Sequence, residues 1–220
     1  MLEEITIDRL LPNVFKGMEN TSQIRESRIW DAPSFSFKRN CRICIHAESG
    51  GGKSSLLSFI YGQRNDYSGK ILFDGKNIRS LSIQEFTDIR RNDIALLPQE
   101  MRLFPELTVY ENIALKNNLT GRKSHEEIIE MLKVLGIQEK ESTRVGKLSI
   151  GQQQRVAIIR TLCQPFDFIF LDEPVSHLDE RNNRTVADLI EREASRQKAG
   201  IITTSVGNHL LLHNPEFVQL

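Results

Sequence analysis

Ser49-Gly50-Gly51-Gly52-Lys53-Ser54-Ser55 follows the alternating run CRICIHA (residues 41–47) and leads straight into LLSFIYG (residues 56–62). The order is strand, glycine-rich turn, helix. Backbone N–H groups in such a turn converge on one anion, and the positive end of the following helix dipole reinforces them. Glycine lets the backbone come close enough to a phosphate for this to work. Lys53 is placed to bridge the outer phosphates of a nucleoside triphosphate, and Ser54 to ligate Mg2+. The longer form of this motif begins with glycine where the chain has Ala47. If that position needs positive φ, alanine there is strained by about 1–2 kcal/mol.

On either side of the loop, hydrophobic patterning supplies the frame. ITIDRLL near the start reads as a strand, and SFSFKRNCRICIHA as one or two more. In KILFDGKNI the Asp74-Gly75 pair between apolar runs is hairpin chemistry, so an antiparallel edge is expected. From about Phe86 to Gly146 the character turns helical. Ser124 and Glu127 form a capping box, Ile128, Ile129, Leu132 and Leu135 recur at helical spacing, and Gly136 closes the helix. Beyond it, QQQRVAIIRTLC (helix), FDFIFLD (buried strand), NNRTVADLIEREASRQKA (helix) and GIITTS (buried strand) alternate. That order predicts a parallel sheet flanked by helices.

FDFIFLD ends in Asp172-Glu173, two adjacent carboxylates delivered at the carboxyl end of a buried strand, where parallel α/β sheets expose their ligands. Asp172 suits the coordination shell of Mg2+, and Glu173 suits polarising a water. Upstream, Leu148-Ser149-Ile150-Gly151-Gln152-Gln153-Gln154-Arg155 opens a helix with Ser149 as a natural N-cap. Its hydroxyl, Gly151 and the free N–H groups of the first turn can approach a phosphate.

Taken with Gln99 in LLPQE, these segments resemble the ATP-binding-cassette (ABC) ATPases over about residues 5–206. The texture is most similar to the compact nucleotide-binding subunits of lipoprotein-release, cell-division and macrolide-export systems. The resemblance implies an α/β fold of the P-loop NTPase type, with a mainly parallel sheet, an antiparallel β edge and a helical lobe. The expected organisation is a single domain over 1–220, with a nucleotide-binding core at 1–85 and 147–220 and a mainly helical lobe at 86–146.

It also implies a head-to-tail homodimer that sandwiches two ATP molecules. In each site Ser49, Gly50, Gly51, Gly52, Lys53, Ser54 and Ser55 of one copy face Ser149, Gly151 and Gln152 of the other. Glu173, Gln99, Lys53 and Ser205 are the implied catalytic set, with Ser54, Gln99 and Asp172 around Mg2+. Gln99 would report nucleotide occupancy to an integral-membrane permease, beside which residues 99–113 would lie; periodicity alone reads that stretch equally well as an amphipathic segment of the lobe. Asp179 would cross the dimer seam, although read alone it is a helix cap. Phe15 is the candidate for stacking on adenine, with Trp30 as its competitor.

Two departures from the family pattern stand out. Ile150 replaces a glycine, at a position where modest perturbation is expected. Ser205 replaces a histidine that would touch the terminal phosphate, and a hydroxyl reaches less far than imidazole and cannot become cationic. The expected activity is ATP hydrolysis powering a membrane transporter. The alternative is an ATP-binding regulatory or scaffolding subunit with weak or no hydrolysis.

Composition narrows the remaining classes. Net charge is zero, which removes the overall positive field that would gather nucleic acid or an anionic bilayer. Chromosome and repair ATPases of related chemistry place long coiled coils between their phosphate loop and signature segment, whereas residues 54–148 here hold only a short lobe. No apolar run is long enough to span a membrane and the first residues are acidic, so a cytoplasmic location, peripheral on the inner face of the membrane through the permease, is expected. Three cysteines argue against a disulfide framework, and Cys41 and Cys44, three apart on an alternating run, point to opposite sheet faces as buried strand residues.

Overall fold

The computed structural model describes residues 1–18 and 20–220, without the side chain of Gln23. In chain order the elements are β1 (Glu4–Pro12), a single turn α1 (Ser22–Arg25), β2 (Phe35–Lys38), β3 (Arg42–His46), α2 (Lys53–Ile60), β4 (Tyr67–Phe73) and β5 (Lys76–Asn77). They continue with α3 (Ile83–Asn92), β6 (Ile94–Leu97), α4 (Val109–Asn117), α5 (His125–Val134) and α6 (Ile150–Leu162). The chain ends with β7 (Phe168–Asp172), α7 (Glu180–Gln197), β8 (Gly200–Ser205) and β9 (Glu216–Gln219). Two sheets result. One is antiparallel in the order β2-β1-β4-β5, and the other is parallel in the order β6-β7-β8-β3-β9.

The parallel sheet is apolar on both faces, which is why β7 and β8 lack polar alternation. Every residue of both strands is buried. The two-residue period divides β7: Phe168 and Phe170 join β1, β4 and α2 in one core, while Ile169 and Leu171 join the helices α4 to α7 in another. The antiparallel sheet with α2 thus covers one face and helices α4 to α7 the other, leaving the carboxyl ends of the strands open. Asp74 (φ 47°) and Gly75 (φ 81°) make the expected hairpin turn between β4 and β5. Helix α5 has its capping box and Gly136 its positive φ, as the sequence indicates.

The structure adds to or corrects the sequence reading at three points. The stretch 86–146, expected to be mainly helical, also holds β6, which pairs in parallel with β7 as the edge strand of the core sheet. IALL is too short a run for periodicity to separate strand from buried helix. Glu216–Gln219 adds an unforeseen fifth strand beside β3; only one of its four residues is buried, so it carries little pattern. Cys44 is buried in β3, but Cys41 is half-buried in the turn before it. The two do pack into opposite cores, and burial pushes their thiols up to about 12 and about 11. Among the described residues, no helix is long and apolar enough to cross a membrane.

Candidate functional site

The phosphate loop begins where β3 ends, between β8 and the edge strand β9 of the parallel sheet. Gly50 (φ 84°) and Gly52 (φ 94°) both adopt the left-handed conformation, and Gly52 directly precedes α2. Gly51 donates its N–H to the carbonyl of Glu48 (3.1 Å), which curls the loop. Ala47 is not among the residues with positive φ, so the alanine is accommodated without the anticipated strain. Its carbonyl instead accepts from Lys53 Nζ (2.9 Å), as does that of Glu48 (3.0 Å). Burial pulls the Lys53 ammonium below its ordinary pKa, partly offset by the carboxylates of Glu173 and Asp172.

Trp30 and Phe15 brace the loop from beneath. The Trp30 indole donates to the carbonyl of Gly51 (3.0 Å), and the two rings meet edge to face at 6.3 Å. A Cβ on Gly52 would lie 2.9 Å from the Trp30 ring and 3.5 Å from that of Phe15. Trp30 is only 1% exposed, so its ring is committed to packing; Phe15 keeps 7%.

Asp172 and Glu173 arrive from the end of β7, separated from β3 by β8. Thr204 of β8, the register partner of Asp172, donates its hydroxyl to Asp172 Oδ1 (2.6 Å) and accepts the N–H of Glu173 (3.2 Å). Glu173 itself is left-handed at φ 49°, a conformation that costs a non-glycine residue about 1–3 kcal/mol and needs support. Support comes from Thr204 at its N–H and from Gln154 of α6, whose Nε2 donates to the Glu173 carbonyl (3.2 Å). Gln99, just beyond β6, donates from Nε2 to Glu173 Oε2 (3.3 Å). Ser205 follows Thr204, and its Oγ lies 3.1 Å from Nδ1 of His46.

These residues line two adjoining hollows. One, of about 230 Å3, is bounded by Ser49, Gly50, Gly52, Lys53, Ser54, Ser55, Gln99 and Glu173. The other, of about 140 Å3, brings together Ser54, Gln99 and Asp172. A hydroxyl, an amide and a carboxylate form an oxygen-donor set suited to a hard divalent cation such as Mg2+. Since Thr204 occupies only Oδ1 of Asp172, the other oxygen has capacity for such an ion.

Ser149 caps α6 in a full capping box: its Oγ accepts from the N–H of Gln152 (3.3 Å), and its N–H donates to Gln152 Oε1 (3.0 Å). Gly151 packs so closely that a Cβ would stand 3.0 Å from the carbonyl of His177, while Ile150 is 47% exposed. Asp179 caps α7 and is exposed, with the N–H of Asn182 holding its carboxyl below the usual range. Among the described residues, the hollows against the phosphate loop include none of Ser149, Gly151, Gln152 or Asp179. Sequence reasoning missed Thr204, Gln154 and His46. Register could have exposed the first and last, since they are strand-end partners of Asp172 and Ser205.

Comparisons with known proteins agree with this geometry. A family model described as "ABC transporter" matches residues 30–176. The trimethylamine N-oxide transport system ATP-binding protein TmoW of Pelagibacter ubique (strain HTCC1062) is 37% identical over 158 residues, 70% of this chain and 46% of its own length. This chain therefore spans less than half of that relative. The lipoprotein-releasing system ATP-binding protein LolD 1 of Chlorobium chlorochromatii (strain CaD3) is 33% identical over 186 residues, covering 83% of this chain and 75% of the relative. Among solved structures, a dimer of the ATP-binding cassette MJ0796 in a post-hydrolysis state, bound to ADP and Pi, superposes with a TM-score of 0.69. It is 29% identical, covering 80% of this chain and 79% of the other. A glycine loop closed on its lysine, an acidic pair at the end of β7 and this breadth of similarity lead to one conclusion: the chain belongs to the ABC transporter family and has the fold of its ATP-binding cassettes.

Proposed function

We propose that this chain is the ATP-hydrolysing subunit of a membrane transporter, working as a head-to-tail homodimer closed by ATP. The observation that carries the reading is the incompleteness of the loop's surroundings. Gln99, Asp172 and Glu173 reach the hollows at Lys53 and Ser54, but the capped helix start at Ser149–Gln152 does not. An exposed helix N-terminus with a serine cap is suited to a phosphate brought by a second copy. The chain forms one cassette, with α4 and α5 as its helical lobe.

In this reading Ser49 to Ser55 and Lys53 bind the phosphates, while Ser54, Gln99 and Asp172 hold Mg2+. Bound there, the ion would neutralise charge on the phosphate oxygens. Glu173, oriented by Gln99, aligns and deprotonates the attacking water. Ser205 lies beside the terminal phosphate, Asp179 reaches across the seam, and Phe15 flanks the adenine. The permease docks beside Gln99–Ile113, where Phe104 is 54% exposed and, with Leu115 just beyond the stretch (46% exposed), lines a hollow of about 230 Å3. That partner places the chain at the inner face of the membrane, and nucleic acid is not among its partners.

Light scattering of Glu173→Gln tests the reading directly. ATP with Mg2+ should double the mass, and a protein that stays monomeric refutes the sandwich. A second reading, a nucleotide-binding regulator with little turnover, draws on Ser205, whose buried hydroxyl is engaged by His46. Steady-state hydrolysis in the presence of the permease separates the two. Turnover that Glu173→Gln abolishes supports the enzyme, and absence of turnover in the unsubstituted protein supports the regulator.

A further inference from the structure

His46 and Ser205 are register partners at the carboxyl ends of adjacent parallel strands. One residue before Ser205, Thr204 grips Asp172; one residue after His46, Ala47 receives Lys53. The pair therefore lies between the metal-facing carboxylate and the phosphate loop, along a single sheet edge. The imidazole is fixed on several sides. It stacks on Phe217 of β9 (centroids 5.2 Å, 23°), His209 meets it edge-on at 6.0 Å, and its own carbonyl accepts the N–H of Leu220 at 2.8 Å. Burial, His209 and Lys53 all disfavour the charged ring. Ser205 is 2% exposed, so its hydroxyl has few partners to choose from.

We propose that His46 is a positioning residue that aims the Ser205 hydroxyl at the terminal phosphate. A hydroxyl has one proton and two lone pairs. When the neutral imidazole carries its proton on Nδ1, that N–H fills one lone pair of Ser205 Oγ and leaves the O–H free to donate to a phosphate oxygen. The opposite tautomer would consume the serine proton and turn only lone pairs towards an anion. An imidazole on β3 thus orients the serine on β8 instead of touching phosphate itself. Phe217 of β9 supplies the stacking surface that holds this ring.

The inference rests on the ATP-binding reading, and equilibrium binding of ATP and ADP with Mg2+ in a Glu173→Gln background tests both separately. The parent should prefer ATP. His46→Leu and Ser205→Ala should each weaken ATP about tenfold, the scale of one hydrogen bond to a charged group, and leave ADP within about twofold. The double variant should be no worse than either single one. His46→Asn, which keeps an N–H donor at the Nδ1 position, should recover most of the loss. Unchanged ATP affinity in His46→Leu, or equal loss of ATP and ADP, overturns the proposal. If His46→Leu does not fold, Ser205→Ala and His46→Asn decide the matter by the same comparison. A parent that binds neither nucleotide brings down the functional reading and this one with it, whereas a parent that binds both while the variants are silent removes only the role of His46.

Discussion

Lys123 and Glu193 meet at 2.7 Å in the interior, where their side chains are 5% and 3% exposed. One precedes α5 and the other lies on α7, so the ion pair ties the helical lobe to the core. Glu193 also receives Arg196 at 2.9 Å, and Lys123 reaches Glu127 at 3.3 Å. Removing Glu193 leaves the buried Lys123 ammonium with only the half-exposed Glu127 carboxylate as a counter-ion among the described residues. Glu193→Ala should therefore lower stability by about 3–5 kcal/mol. The double replacement Lys123→Met, Glu193→Leu should recover most of that. Urea unfolding of the three proteins checks the order, and a double variant as unstable as the single one would contradict it.

Trp30 is a brace for the phosphate loop, so its effect should show in binding as well as stability. Trp30→Phe keeps the packing but strands the Gly51 carbonyl, costing about 1–3 kcal/mol and weakening nucleotide binding. Gly52→Ala should do more damage, because it meets both the Trp30 ring and a φ of 94°. Thermal melts with and without ADP separate the two losses.

Ala47→Gly provides the opposite test. Were the alanine strained, glycine would stabilise the protein. Since Ala47 lies outside the positive-φ set, glycine only adds freedom to the unfolded chain, and stability should fall by about 0.5–1 kcal/mol. Chemical denaturation reads the sign directly.

How much of this was legible in the sequence follows from the range of each signal. Ser49–Ser55 and Ser149–Gln152 are contiguous, and local backbone chemistry alone defined them. The parallel sheet was visible because β7 and β8 are buried on both faces and so lack polar alternation. By contrast, β6 and β9 are four-residue strands whose identity is set by their neighbours in space. Thr204, Gln154 and His46 were invisible for the same reason: their importance comes from partners many residues away. Aromatic spacing does not encode burial, so it leaves Phe15 and Trp30 equal, whereas the structure leaves Trp30 1% exposed and Phe15 7%.

Acid should loosen the junction of β5 and α3. Lys76, with the N–H and hydroxyl of Ser82, holds the Glu85 carboxyl down to about 2. Because this pKa is depressed in the folded protein, its stabilising contribution is complete above the usual carboxylate range and is lost as pH falls from there towards about 2. Glu85→Gln should therefore flatten the decline in urea midpoint between about pH 5 and about pH 2.5. An identical slope in both proteins would count against the coupling.

The lysine that rests on the carbonyls of Ala47 and Glu48 has already given up most of its hydration and conformational freedom before any ligand arrives. An incoming triphosphate thus exchanges two neutral dipoles for its own oxygens around a cation that is already in place. Much of the entropic toll of recognition is met during folding, and association should be governed by diffusion into the cleft more than by reshaping of the cradle.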